Sequence, residues 1–209
     1  ALKATQLELQ QQETHEHYLA IASLLGLVVS KCVDYNSRQT FWDTERGIRH
    51  AFSRHDFAFR WNSAEFDASG NLLPWAVEQV ASAYSEISNI ASPSQRSLLF
   101  ADNKRAIDNL RVFQGSANNV GFIQDESLHN ITVDPPYYDN VQYAELSDFF
   151  YVWLKRSVGH LFPEFFQDEL TNKDDEAVAN PARFEGMGKK KKELAERDYE
   201  RKMAAAFKE

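Results

Sequence analysis

The chain reads as α/β in class, with a helix-rich N-terminal portion followed by a part that alternates short strands with helices. Three observations predict this. Apolar residues recur at three-four spacing in 13–35, 70–93 and 145–156. Two short runs, LRVFQGSA (110–117) and HNITVD (129–134), have strand composition and end in turn formers. The second run passes directly into DPPYYDN and then into a helical period, a strand-loop-helix junction. The expected division places the helix-rich portion at 1–92 and the junction in a second part, 93–209.

Length and charge bound the rest. At 209 residues and 43% hydrophobic content the chain can bury a sizeable core. A net charge of −8, from 23 Lys+Arg against 31 Asp+Glu, counts against a domain that grips a phosphate backbone over its whole surface, although a local basic face stays open. The single Cys32 excludes a disulfide framework or a cysteine zinc site within these residues and reads as a small apolar group in a helix core. HEH at 15–17 is no metal pair, because helix neighbours two apart face away from each other. The run YLAIASLLGLVV is shorter than the roughly 20 residues a membrane span needs, and no basic-then-apolar leader opens the chain. A cytoplasmic protein without a membrane partner is expected. An initial Ala and the ending MAAAFKE suggest a piece of a longer chain, truncated at both ends.

In chain order, 13–35 is apolar nearly all round (Tyr18, Leu19, Ile21, Leu24, Leu25, Val28, Val29, Cys32), the pattern of a buried helix. DYNSRQ ends it. Residues 36–70 show no clean period but interleave Arg38, Arg46, Arg49, Arg54 and Arg60 with Phe41, Trp42, Phe52, Phe57, Phe59 and Trp61. Guanidinium groups meet phosphates and rings stack bases, so Arg46, Arg49 and Arg54 are candidate nucleic-acid contacts. The alternative is rings packed on a core and solvated charges, diluted by Asp43, Glu45, Asp56 and Glu65. A second helix starts near Pro74, tolerated in a first turn, with Val77, Val80, Tyr84, Ile87 and Ala91 as its apolar face and Ser92-Pro93 as its stop. From Glu145 a third helix carries Leu146, Phe149, Phe150, Trp153 and Leu154 as core, with Asp139 or Asn140 able to cap it. Residues 160–190 read as polar and irregular, with NKDDEAVANP (172–181) and EGMGKKKK (185–192) as mobile stretches. The last helix, KKKKELAERDYERKMAAAFKE, opens on four lysines that oppose its dipole, which suggests another cause for their position.

The junction carries the chemistry. In open α/β sheets ligands bind beyond the carboxyl ends of the strands, where Asp134 sits. Pro135 and Pro136 stiffen the exit and leave their carbonyls as acceptors that no continuing helix claims; Tyr137 offers a ring face beside them. Such a set suits a flat group bearing an NH2. Two acceptors hold both N–H bonds of an aromatic amine and favour the pyramidal nitrogen whose lone pair can attack. A carboxylate is too weak a base to deprotonate that amine beforehand, so Asp134 orients it first and takes a proton only as charge develops. Stacking on Tyr137, about 1 to 3 kcal/mol, offsets the few kcal/mol of unstacking a base from a duplex.

DPPY after a strand resembles the catalytic motif of amino-group DNA methyltransferases. The longer run DPPYYDNVQYAELSDFFYVWLKR, preceded by RVFQGSA, is similar to the prokaryotic adenine-specific DNA methylase family that carries a DUF1156 domain and, in some members, a zinc ribbon. DYNSRQTFWD and GNLLPWAVEQV are similar to its upstream segments, so the resemblance covers most of 15–209. It implies part of a Rossmann-like S-adenosylmethionine-dependent methyltransferase fold. The implied activity is methylation of an exocyclic amino group of DNA, adenine N6 first and cytosine N4 second. Asp134, Pro135, Pro136 and Tyr137 are the implied catalytic residues. Tyr138, Asp139, Asn140 and Tyr143 would line or support the base pocket, and Gly115 and Ser116 would pass the cofactor's adenosine. The implied partners are DNA, through a flipped base, and the remainder of a longer chain. Two departures stand out: the family's D-P-F-x-G-x-G cofactor loop and its cysteine cluster are absent. These residues alone are therefore expected to bind cofactor weakly and turn over little. The alternatives are a non-catalytic methyltransferase-like scaffold or an amino methyltransferase acting on RNA bases. Glutamine methyltransferases place Asn first in a similar motif, and Asp134 argues against them.

Overall fold

The computed structural model describes residues 2–54, 56, 60–91 and 110–209. Phe57, Phe59 and the expected Ser92-Pro93 stop lie outside the described residues. Two units are present, and they interleave along the chain: one comprises Ala1–Arg111 with Leu146–Thr171, the other Val112–Glu145 with Asn172–Glu209. A single boundary at 92/93 misses this, because the apolar face of the 143–158 helix returns to the first unit.

In the first unit, α1 (Leu2–Gln12) packs on α2 (His15–Tyr35). The sequence reading missed α1, since LKATQLELQQQ is rich in helix formers but too sparse in apolar residues to show a period. Its Gln6 is buried and donates from Nε2 to the carbonyl of Ser157, 3.0 Å away. Thr14 caps α2, its hydroxyl accepting from the amide of His17. Tyr18, Ala22 and Gly26, one turn apart, form its buried stripe with Val28. Gly26 is small for a reason: a Cβ there would stand 3.0 Å from Val158 Cγ1 and 3.6 Å from Leu154 Cδ2. The whole helix, 21 residues long, is long and apolar enough to cross a membrane by length and composition, which a count of its most apolar run understates.

The Arg-aromatic stretch holds the only sheet among the described residues, the hairpin β1 (Phe41–Asp43) and β2 (Gly47–Arg49). It pairs antiparallel, Phe41 with Arg49 and Trp42 with Ile48. Asp43 Oδ1 accepts from the amides of Glu45 (2.9 Å) and Arg46 (3.0 Å), and Gly47 closes the turn at φ +72°. A three-residue loop ending in a left-handed Gly is a recurrent hairpin connection. Asp67 caps the turn Ala68–Leu72, which leads into α3 (Leu73–Ala91). On α3 the buried residue is Ala76, whereas Val77, Tyr84 and Ile87, expected as its core face, are exposed. Tyr35 meets Trp75 edge-on at 4.9 Å, and Lys31 lies over both rings.

α4 (Tyr143–Val158) begins in the second unit and continues in the first. In the first unit Phe149 and Phe150 both pack on Phe52 at 5.3 Å. Trp153, expected in the core, is 39% exposed, because Gly26 admits Leu154 and Val158 instead.

The second unit has a small core of Val141, Ala144, Val178, Ala179 and Ala195. The segments 110–117 and 129–134, expected as strands, run without ladder partners among the described residues, and Val112, Ile131 and Val133 are exposed. A strand exists only when paired, and composition cannot supply the partner. No Rossmann-like sheet is therefore present among the described residues. Of the two stretches expected to be mobile, 172–181 is instead built: Val178 and Ala179 are buried, Asn180 caps the turn Pro181–Phe184, and Glu176 pairs with Arg183. A turn at Gly188–Lys190 then opens α5 (Lys191–Lys208).

Candidate functional site

Asp134 to Tyr137 lead from the irregular 129–134 segment into a turn closed by the Tyr138 amide on the Pro136 carbonyl and the Asn140 amide on the Tyr137 carbonyl. The Tyr137 hydroxyl donates to Asp134 Oδ1 at 2.9 Å. That hydrogen bond, with the carboxylate's charge behind it, pushes the Tyr137 phenol above its ordinary range, so the ring stays protonated and neutral. Tyr137 is 57% exposed and Asp134 is exposed beside it. The turn thus holds a carboxylate and an aromatic face side by side in the open.

The carbonyls divide. Pro136's, expected free, is taken: it accepts from the amide of Tyr138 (3.1 Å) and the hydroxyl of Tyr199 (3.0 Å). The second proline starts a turn, so its carbonyl points back at the chain that follows. The carbonyl of Pro135 and Oδ2 of Asp134 keep no partner among the described residues. They are the two acceptors the site offers.

Tyr138 supports this turn and does not line it. It sits in the left-handed region at φ 58°, uncommon for a residue with a side chain. Three contacts hold it there. Its carbonyl accepts from the amide of Ala179 at 3.0 Å, its ring meets Tyr199 edge-on at 5.2 Å, and its hydroxyl faces the Glu196 carboxylate. Desolvation first, and Glu196 second, raise its phenol above the ordinary range. Asn140 N–H returns to the carbonyl of Tyr137, and Gln142 Nε2 to that of Asp139. Tyr143 stands close enough to Tyr137 to raise its phenol further.

The helix after the turn is anchored from far along the chain. Glu176 Oε1 accepts from the amide of Ala144 at 2.9 Å, and Asn180 Nδ2 donates to Glu145 Oε1 at 2.9 Å. Glu176 Oε2 in turn takes Arg183 Nη2 at 2.5 Å. Glu176, Arg183, Glu196 and Tyr199 went unrecognised in the sequence; the one signal was the short apolar run of EAVANP between an acid and a proline.

Gly115 and Ser116 are exposed in an irregular segment. Just beyond them a cleft of about 370 Å³ has Val120, Ile123, Ile131 and Val133 as its apolar wall and Asp125 and Ser127 at its polar side. Glu209 Oε1 accepts from the amide of Val120 at one edge.

The arginines belong to the other unit. Arg46 is exposed in the hairpin turn, Arg49 stands on β2 opposite Phe41, and Arg54 spends its charge on Asp56 at 2.9 Å. Arg60 lies over the Phe41 ring at 4.2 Å. Nearby, His50 Nδ1 is 3.6 Å from Asp34 Oδ1; burial pushes the Asp34 carboxyl up, and the facing imidazole opposes this. The sequence reading singled out neither residue of that pair.

Comparison with protein-family models, curated proteins and solved structures finds no match to this chain.

Proposed function

We propose that this chain forms part of an S-adenosylmethionine-dependent methyltransferase that acts on an exocyclic amino group of a DNA base, adenine N6 in the first place. The observation that carries the reading is the Asp134–Tyr137 turn: a carboxylate oxygen and a prolyl carbonyl, both unpartnered among the described residues, beside an exposed tyrosine ring.

In this reading Asp134 Oδ2 and the Pro135 carbonyl accept the two N–H bonds of the amine, and Tyr137 stacks the base. The bond from Tyr137 to Oδ1 keeps the carboxylate oriented. As the amine gains its methyl group it becomes cationic, and Asp134 accepts the proton it sheds, directly or through water. The cofactor supplies the electrophilic methyl group. The cleft beside Ser116 fits its nucleoside end, with an apolar wall for a flat ring and the Asp125 carboxylate for ribose hydroxyls. The glycine-rich loop expected for its amino-acid end is absent from the sequence. A Rossmann-like sheet belongs to the same proposal, with the unpaired 129–134 segment as one of its strands.

A non-catalytic binding role is the second reading, favoured by the absence of that loop and by the unpaired segments. The full-length protein incubated with cofactor and mixed-sequence DNA, followed by digestion and mass spectrometry of the nucleosides, separates the two. N6-methyladenine or N4-methylcytosine is expected, reduced by about 10² to 10⁴ in Asp134→Ala. A variant that keeps most of the product overturns the role of Asp134. Product on RNA alone reassigns the substrate, and cofactor binding without product on either favours the binding role.

A further inference from the structure

The lysine run before α5 is a second charged feature of the unit that holds the Asp134–Tyr137 turn. Lys189, Lys190, Lys191 and Lys192 are all exposed, and a helix start is where cations meet the positive end of the dipole. A solvated lysine run is ordinary when acids on the same helix neutralise it. Here those acids reach no further than the last lysine: Arg197 holds Glu193 at 2.6 Å, and Glu196 faces Lys192 at 3.9 Å. Lys189, Lys190 and Lys191 have no ion pair among the described residues. Three uncompensated charges thus stand together in a chain of net charge −8.

Their position relative to the turn is set by the helix. Lys192, Glu196 and Tyr199 fall on one face at i, i+4 and i+7, and Glu196 and Tyr199 are the residues that hold Tyr138 and the Pro136 carbonyl. From Lys191 to Tyr199 is eight residues, about 12 Å at a rise of about 1.5 Å each. Projected on the duplex axis, the phosphates of one strand recur about every 3.4 Å, so an axial distance of about 12 Å spans three or four base steps.

We infer that Lys189, Lys190 and Lys191 are a phosphate-contact patch for the nucleic-acid strand whose base enters the Asp134–Tyr137 turn, with α5 as the spacer between patch and turn. This rests on the proposed function for the base, while the patch itself is a statement about binding. It locates the backbone contact in this unit, apart from the arginines of the hairpin.

The test is fluorescence anisotropy of the full-length protein with a labelled mixed-sequence duplex across a salt series, for wild type, K189Q/K190Q/K191Q and K189R/K190R/K191R. Thermal melting establishes that all three fold alike. Each phosphate contact contributes about 0.9 to the slope of log affinity against log salt. The glutamine variant should lose about 2 to 3 of that slope and the arginine variant should keep it. Equal slopes in wild type and the glutamine variant overturn the patch, as does failure of wild type to bind the duplex. Lysine-dependent binding to phosphatidylserine vesicles in place of the duplex overturns it in favour of a membrane surface. Lysine-dependent DNA binding without methylated product upholds the patch and removes the methyl-transfer reading; methylated product with equal slopes does the reverse.

Discussion

Replacing Glu176 with alanine should loosen the turn although it touches none of Asp134 to Tyr137. Glu176 and Arg183 side chains are only 11% and 14% exposed, and the glutamate makes two bonds that alanine cannot: to the amide of Ala144 at 2.9 Å and to Arg183 Nη2 at 2.5 Å. Removing one partner of a buried ion pair costs about 3–5 kcal/mol, because the other charge is left desolvated. Arg183 keeps its 2.9 Å bond from Nη1 to the residue-176 carbonyl, so the lower end applies, about 3 kcal/mol. Two units make a single global midpoint ill-defined, so native-state hydrogen exchange is the suitable assay. At about 1.4 kcal/mol per tenfold, the Ala144 and Ala179 amides should exchange roughly 100-fold faster in Glu176→Ala. Glu176→Gln, which keeps an acceptor for Ala144 but loses the charge, should fall between. Amide protection within threefold of wild type in the alanine variant would refute the claim that this pair anchors the turn.

Two further outcomes are expected. Tyr199→Phe removes one of the two donors to the Pro136 carbonyl while keeping the ring against Tyr138, and should cost about 1 kcal/mol, read as faster exchange of the Tyr138 amide. Asp198 gives a pH dependence: burial pushes its carboxyl up, but hydrogen bonds from Lys202 (2.8 Å) and Arg201 (2.6 Å) outweigh this and hold it below the ordinary value. Its contribution, about 0.5 kcal/mol after solvent screening, is present above the ordinary carboxylate pKa of about 3.9 and lost as pH falls through the lower folded value. Protection of the α5 amides against hydrogen exchange, compared between wild type and Asp198→Asn at each pH, should therefore differ at pH 7 and converge as the pH drops below about 4.

Much of the helical part was legible because its causes are local. The α2 and α4 helices announce themselves by apolar period, and the Asp134–Tyr137 turn by two prolines whose backbone limits act within their own dipeptide. The face of α3 was misread because both Ala76 and Val77 suit a core, and only the approach of α2 decides which is covered. The hairpin at 41–49 was hidden by its three-residue strands, too short for a period, although Asp43 and Gly47 carry its turn.

What the sequence by itself determined is the chemistry on offer: a carboxylate, two prolyl carbonyls and a tyrosine ring in one short turn. What only the tertiary structure decided is which of them stays available. Tyr199, 63 residues away from Pro136, consumes one carbonyl and leaves the other. Glu176, 32 residues from Ala144, supplies the amide partner at the helix start. The physical reason is that hydrogen-bond partners are settled by proximity in space. A chain's local preferences specify which groups need partners, and packing specifies who meets them.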